Sequence, residues 1–294
     1  MEGNPMSTST EVADDSGIRV DTDVVRGIEE PVPIKRRKSW KRPLRRFSAL
    51  IGIIVIWWLA SLFMSPQTLP GPFLVFSTML DNLTEGDTYY QLAVTMGRVL
   101  GGMTIAMIMG LVIGLIMGLS AWGEDLLINV VLVGFSIPAV VFGILFILWF
   151  GLNDTAAILA VGVAATPAIA INIWQGTKAI DRDLMHMGKA FRFSQRSMLT
   201  KVVIPQLVPF VLAALRTALA ISWKIVTVVE LIGLSSGVGY MLHWWFGNFN
   251  MTQVLAWTLL FTITLLLIEN LILKPIEKRL TRWRPHAAAL EGAA

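Results

Sequence analysis

Read for runs of apolar residues, the chain contains six long hydrophobic segments separated by polar stretches. They are roughly Phe47–Met64, Leu92–Leu119, Leu126–Phe150, Thr155–Trp174, Leu207–Ile232 and Val254–Leu273. Each is long enough, or nearly so, to carry a helix across ~30 Å of hydrocarbon at ~1.5 Å per residue. The pattern predicts an all-α integral membrane protein with six transmembrane helices. One polar interruption is much longer than a link in a helical bundle needs, and it carries many cations. It leads through Pro205 into the fifth apolar run.

Composition agrees with the pattern. The chain is 55% hydrophobic and 15% charged, with a mean hydropathy of +0.66, outside the range of soluble domains. Cysteine is absent, which excludes disulfides, thiolate metal sites and a cysteine nucleophile. His186, His243 and His286 are scattered without metal-ligand spacing, and no phosphate-binding G-x-x-x-x-G-K-[ST] loop occurs. No acid/base pair, nucleophile or metal cluster converges, which argues against a membrane-embedded enzyme.

Charge distribution sets an expected orientation. Residues 1 to about 34 are polar, with eight acidic residues against Arg19 and Arg26, and read as a disordered tail without a signal-peptide core. Residues 35–46 hold eight Lys/Arg directly before the first apolar run. The reading is a cytoplasmic topology signal attracted to anionic headgroups, with a nucleic-acid patch as the remote alternative. The outer loops then become 65–90, 151–154 and 233–250, and none contains Lys or Arg. The segment 175–206 holds six, and the tail after 273 holds five. The expected organisation is a cytoplasmic tail over 1–46, a six-helix domain over 47–274 with an insert at about 181–205, and a cytoplasmic tail over 275–294. Both termini lie inside.

Smaller features add detail. Leu69-Pro-Gly-Pro72 signals a turn, and Phe73–Leu83 reads as a short helix lying on the outer surface. Tyr89, Tyr90, Trp244, Trp245 and Phe246 suit an interfacial aromatic belt, with substrate stacking by Trp244 and Trp245 as the alternative. Gly110, Gly114 and Gly118 share one helix face and predict close backbone packing. Pro138 and Pro167 predict kinks in the third and fourth spans.

Charges inside the spans are Arg98, Arg216, Lys224, Glu230 and Glu269. Each costs roughly 2.5–3.5 kcal/mol near the bilayer centre, so such residues face protein or water. Arg216, Trp223 and Glu230 recur every seven residues and share a stripe, with Lys224 about 100° away. Arg98, Arg216, Trp223, Lys224 and Glu230 are therefore candidates for a translocation path. The alternative is interhelical ion pairing, for example Glu230 with Arg98. The three cations would suit a small anion. In the basic insert, Leu184, Met187, Phe191 and Leu199, with Phe193 and Met198 close by, form an apolar face rimmed by Lys and Arg. That face fits a partner's groove.

These stretches resemble the transmembrane permease subunits of bacterial ABC importers, in the nitrate/sulfonate/taurine group of binding-protein-dependent systems. That family carries a cytoplasmic loop E-A-A-x-x-x-G-x(9)-I/V-x-L-P. Here Ile204-Pro205 matches L-P and Val202 matches I/V, while His186, Met187 and Gly188 stand at E-A-A and Arg192 at the loop glycine. Further matches in family order are Leu69-Pro-Gly-Pro72, Thr95–Arg98 with Gly101-Gly102, Ile137-Pro138, Trp149-Phe-Gly-Leu152, Leu215-Arg-Thr-Ala-Leu219, Trp223, Glu230, Gly237-Val-Gly-Tyr240 and Arg282-Trp-Arg284.

The resemblance implies a type I ABC importer permease fold whose coupling helix lies in the cytoplasmic loop, with Leu184, His186, Met187, Gly188, Phe191, Arg192, Ile204 and Pro205 as the ATPase-coupling residues. It implies two cytoplasmic ABC ATPase subunits, a second permease, identical or homologous, and an extracytoplasmic solute-binding protein. The chain itself would hold no cofactor and no catalytic site. ATP and magnesium would sit on the partner ATPase, and the location would be the bacterial inner membrane. Similar permeases carry nitrate, sulfonates, taurine, pyrimidine vitamin precursors and flavins. A stand-alone ion-coupled carrier is the rival reading. Carriers of that kind are built from internal repeats, and no convincing repeat is found here.

Overall fold

A computed structural model describes the backbone of residues 41–281 and the side chains from 48 onward. The acidic tail, most of the basic stretch and Arg282-Trp-Arg284 lie outside the described residues. The chain divides between Ile53 and Ile54 into two units. The first is described only as the opening turns of helix α1 (Lys41–Leu62), whose Leu50, Ile51 and Ile53 are exposed.

The second unit is built from helices joined by short turns, with no strand among its described residues. After α1 come α2 (Pro72–Asn82), α3 (Gly86–Leu119), α4 (Ala121–Ser136), α5 (Ala139–Phe150) and α6 (Asp154–Lys178). Two short helices follow, α7 (Arg182–Ala190) and α8 (Gln195–Met198), then a π-helical turn Leu199–Val203 and α9 (Ile204–Gly233). The last elements are α10 (Val238–Gly247), α11 (Met251–Ile268), a second π-helical turn Glu269–Leu273 and α12 (Lys274–Leu280). Among the described residues four helices are long and apolar enough to cross a membrane, five if a bent pair forms one span. The apolar part of α1, Ser48–Leu62, is shorter than these.

The core is built on α3 against α6. Gly102, Gly110, Gly114 and Gly118 of α3 face Val161, Ile169, Ile173 and Thr177 of α6, at one constant sequence offset. A constant offset between two helices means that they run parallel. The missing side chains bring the backbones together: a Cβ on Gly114 would stand 2.7 Å from the Ala170 carbonyl oxygen and 2.6 Å from Ile173 Cβ. The predicted glycine face is thus a packing seam. Gly162 repays it by facing Ile105 from the α6 side.

Parallel α3 and α6 require the chain between them to return to its starting end. The third apolar run does so as a broken helix, α4 and α5 meeting at 91°. This corrects the expectation of one kinked span over Leu126–Phe150. Pro138 has no N–H to continue the helix, and it forces Ile137 into the extended region at φ −71°, ψ 127°. Arms of 16 and 12 residues at this angle close about 30 Å end to end. Pro167, by contrast, stays inside the unbroken α6. That helix is buried by neighbours on its flanks, including Gly134 of α4 against the proline ring.

Helix α9 runs back antiparallel to α6, with Phe210 against Gly176 near one end and Gly233 against Leu152 near the other. Helix α2 falls within one residue of the short helix predicted over Phe73–Leu83. It buries Val75 and Met79, exposes Phe73 and Phe76, and is tied to α11 by Asn82 and Gln253 at 2.8 Å. The connections therefore fall at two ends. One end holds α2, residues 151–153 and α10, without an exposed Lys or Arg among them. The other holds α7, α8 and α12, with Lys178 paired to Glu124.

The α3–α6 seam makes a prediction. Gly114→Val should lower the stability of the detergent-solubilised protein by about 1–3 kcal/mol, because overpacking forces the backbones apart. Gly97→Val, with nothing within 4 Å, should leave the melting temperature unchanged. Equal melting of both variants would contradict the seam.

Candidate functional site

At the α10 end, four elements converge on one buried ion pair. Arg98 of α3 and Glu230 of α9 are 4% and 1% exposed and meet at 2.7 Å through Nη1 and Oε1. A buried pair is stable only if its remaining donors and acceptors are satisfied. Here Arg98 Nε and Nη2 donate to Asp154 at the start of α6, at 2.9 and 2.6 Å. Its Nη1 and Nη2 also reach the Ser236 carbonyl and hydroxyl at 2.7 and 2.8 Å. The Glu230 carboxylate accepts from Thr95 Oγ1 at 2.9 and 3.0 Å and from the Gly239 N–H at 2.9 Å.

The segment from Leu234 to Gly239 is folded over this carboxylate. Gly237 has φ +106°, a left-handed conformation that favours glycine, and a Cβ there would run into the Glu230 carboxylate. Its N–H donates to Gln91 Oε1 at 2.6 Å, and the Val238 N–H donates to Thr95 Oγ1 at 2.8 Å. The first N–H groups of α10, which no helical carbonyl can satisfy, are thus spent on the network, with the positive end of the helix beside the carboxylate. Thr95, Asp154, Ser236 and the two glycines complete a site of which sequence reading named only Arg98 and Glu230. The signal was present in Thr95–Arg98 and in Gly237-Val-Gly-Tyr240, but not the contact between them.

The five path candidates separate. Arg98 and Glu230 are enclosed as an ion pair, the alternative reading. Trp223 is 4% exposed and stacks on Phe261 of α11, centroids 4.2 Å apart. Arg216 is half-exposed and pairs with Glu277 at 2.6 Å and Glu269 at 3.6 Å. Within this chain the seven-residue stripe faces α3 at Glu230, α11 at Trp223 and the start of α12 at Arg216, which stays half-exposed. Lys224, off the stripe, is exposed, and no ion pair or hydrogen bond to it is found among the described residues.

At the opposite end lies the basic insert. Asp181 caps α7 by accepting from the Asp183 and Leu184 N–H groups, and Gly188 is buried where a Cβ would stand 2.7 Å from Met198 Cε. Leu184, Met187 and Phe191 are 39%, 49% and 71% exposed, so the apolar face predicted there is open. His186 and Ile204 are exposed and Pro205 sits in the first turn of α9. Phe193 lies under Lys201 Nζ at 5.9 Å. The second half of the insert is not a separate loop helix: residues Gln195–Gly233 run as one helix, about 58 Å long at 1.5 Å per residue.

Arg192 stands at φ +53°, a left-handed conformation that costs a residue with a Cβ about 1–2 kcal/mol. This is the position where the resembling motif has glycine, so the motif's glycine has a backbone reason that this chain meets under strain. At the α10 end, Tyr89, Tyr90, Trp244 and Phe246 are exposed, while Trp245 is half-buried.

Residues 102–282 match the family described as binding-protein-dependent transport system inner membrane component. The putative aliphatic sulfonates transport permease protein SsuC of Escherichia coli (strain K12) is 32% identical over 250 residues, covering 84% of this chain and 95% of that protein. The taurine transport system permease protein TauC of the same organism is 27% identical over 261 residues, covering 84% and 94%. Among solved structures, the inward-facing MetNI methionine ABC transporter aligns with a TM-score of 0.58 at 18% identity, over 65% of this chain and 95% of its own, a likeness of fold.

Two outcomes follow from the geometry. Arg98→Leu leaves Glu230 buried and unpaired and should cost about 3–5 kcal/mol, read as a fall in melting temperature in detergent; no change would contradict the network. Arg192→Gly should slow proteolysis at 190–194 by relieving about 1 kcal/mol; faster cleavage would show that the side chain, not the backbone, holds the turn.

Proposed function

The chain belongs to the family of binding-protein-dependent transport system inner membrane components, and on that premise we propose that it is the permease subunit through which an ATP-driven importer passes a small anion. The family is the membrane component of such systems, not their ATPase, and membership sets aside the stand-alone carrier. ATP and magnesium belong to a cytoplasmic partner.

The observation that carries the reading is the exposed apolar knuckle of α7, joined to a spanning helix. Leu184, Met187 and Phe191 present an apolar face at the end that holds Lys178, Arg182, Lys189, Arg192, Arg196 and Lys201. Gly188 packs on Met198, and from Gln195 the same helix continues to Glu230. A partner that grips α7 would thereby push on α9 directly. Two ATPase subunits would each take one knuckle in a groove, while a second permease, identical or homologous, would complete the path. A solute-binding protein would approach the α10 end.

Topology follows from the positive-inside rule. The α7 end, with Lys178, Arg182, Lys189, Arg192, Arg196 and Lys201, would be cytoplasmic, in the inner membrane of a bacterium. Six crossings result if α1 spans and α4–α5 count as one, with cytoplasmic tails over 1–46 and 275–294. The substrate class comes from relatives named for aliphatic sulfonates and taurine.

The test is reconstitution of the complex purified from its native membrane, with uptake measured for ethanesulfonate, taurine, nitrate and riboflavin. ATP-dependent uptake of one of the anions is expected; uptake without ATP would overturn the importer, and uptake of riboflavin alone the substrate class. Met187→Asp or Phe191→Asp should reduce ATP-driven uptake at least about tenfold while membrane insertion stays normal, because a buried uncompensated charge costs more than a factor of ten. Unchanged ATPase co-purification and uptake would remove the knuckle from the mechanism.

A further inference from the structure

The spanning helices treat their charges differently. Arg98, Arg216, Glu230 and Glu269 are each paired, as are Asp154 and Glu277. Lys224 is exposed and, among the described residues, has no partner. It lies nine residues before the end of α9 at Gly233, about 14 Å in from that end. A lone ammonium at this depth is not stable against hydrocarbon, so its face must meet water, protein or an anion.

The surface around it is not built for lipid. Ala213, Thr217, Ala220, Lys224, Val228 and Leu231 share one side of α9. Between Pro205 and Glu230 the helix exposes no large apolar side chain, Leu231 and Ile232 being exposed only beyond it, whereas α1 shows Ile54 and Ile56, and α4 and α5 show Val130, Val133, Leu148 and Trp149. Alanine one turn away on this face leaves the ammonium uncovered. A second copy of this chain would bring no free carboxylate to this depth, because Glu230 and Glu269 are already engaged.

Resting on the importer reading above, we propose that Lys224 is the cation that the solute's negative charge meets inside the permease. It would select a sulfonate or another singly charged oxyanion over uncharged molecules of the same size. Arg98 and Arg216 are occupied and take no part. An ammonium on a four-carbon stem is a point charge that follows a moving anion without fixed geometry.

The experiment uses the reconstituted complex with its ATPase and binding protein, with ethanesulfonate as probe and uncharged ethanesulfonamide as competitor. Absence of wild-type ethanesulfonate uptake would fail the substrate reading before any variant is compared. Given wild-type uptake, Lys224→Arg should retain it within about threefold. Lys224→Gln should lose about tenfold or more, as expected for removal of a charged contact, and should lose its preference over the amide. Lys224→Glu should lose more still. Both permeases should still co-purify with the Gln variant. Wild-type uptake and preference in Lys224→Gln would overturn the proposal. So would loss of the second permease from that variant, which would make Lys224 an ion-pair partner at the subunit interface.

Discussion

The arrangement at the α10 end depends on the pairing of Arg98 with Glu230. Neither charge is tolerable alone in a membrane interior, and the pair itself is tolerable only when its other valences are filled. That requirement explains the neighbours. Asp154 must open α6 next to Arg98, Thr95 must lie one turn before it, and the chain after α9 must turn back tightly enough to offer its N–H groups. Gly237 and Gly239 are needed because a side chain at either position would occupy the space of Glu230. One ion pair thus fixes the relative position of α3, α6, α9 and α10.

The same pair sits near one end of the longest helix among the described residues, Gln195–Gly233. Helix α9 begins, through α8 and a π-helical turn, beside the exposed knuckle of α7 and carries Glu230 in its last turn. It stays in contact with α6 along the way, and Trp223 stacks on Phe261 of α11. Helix α12 is tied to it by Arg216. Both π-helical turns, Leu199–Val203 and Glu269–Leu273, interrupt long helices. Such turns inside long helices are rare and are frequent at functional sites.

Much of this was legible in the sequence because membranes make periodicity and charge decisive. The apolar runs gave the long helices, the glycine spacing gave the packing face of α3 but not its partner α6, and Leu69-Pro-Gly-Pro72 announced α2. The break at Pro138 was readable only as a kink, since the size of a bend is set by what fills the angle. The stripe of Arg216, Trp223 and Glu230 was legible as one face, but its partners on other helices were not. Period alone does not say whether a polar face meets water or another helix. Asp154 and Ser236 escaped notice because their role is a contact between segments far apart in the chain. Arg192 was visible as a departure from a motif, and only its φ of +53° supplies the reason the motif prefers glycine there.

The most direct test of the whole account uses the absence of native cysteine. A single cysteine at Phe191 and another at Phe246 would be introduced separately into the complex in its native membrane and treated with a membrane-impermeant thiol reagent and a short cross-linker. The account predicts that the cysteine at 191 is shielded from outside and cross-links to an ATPase subunit, while the cysteine at 246 is labelled from outside and does not. Labelling of 191 from outside, or cross-linking of 246 to the ATPase, would contradict it.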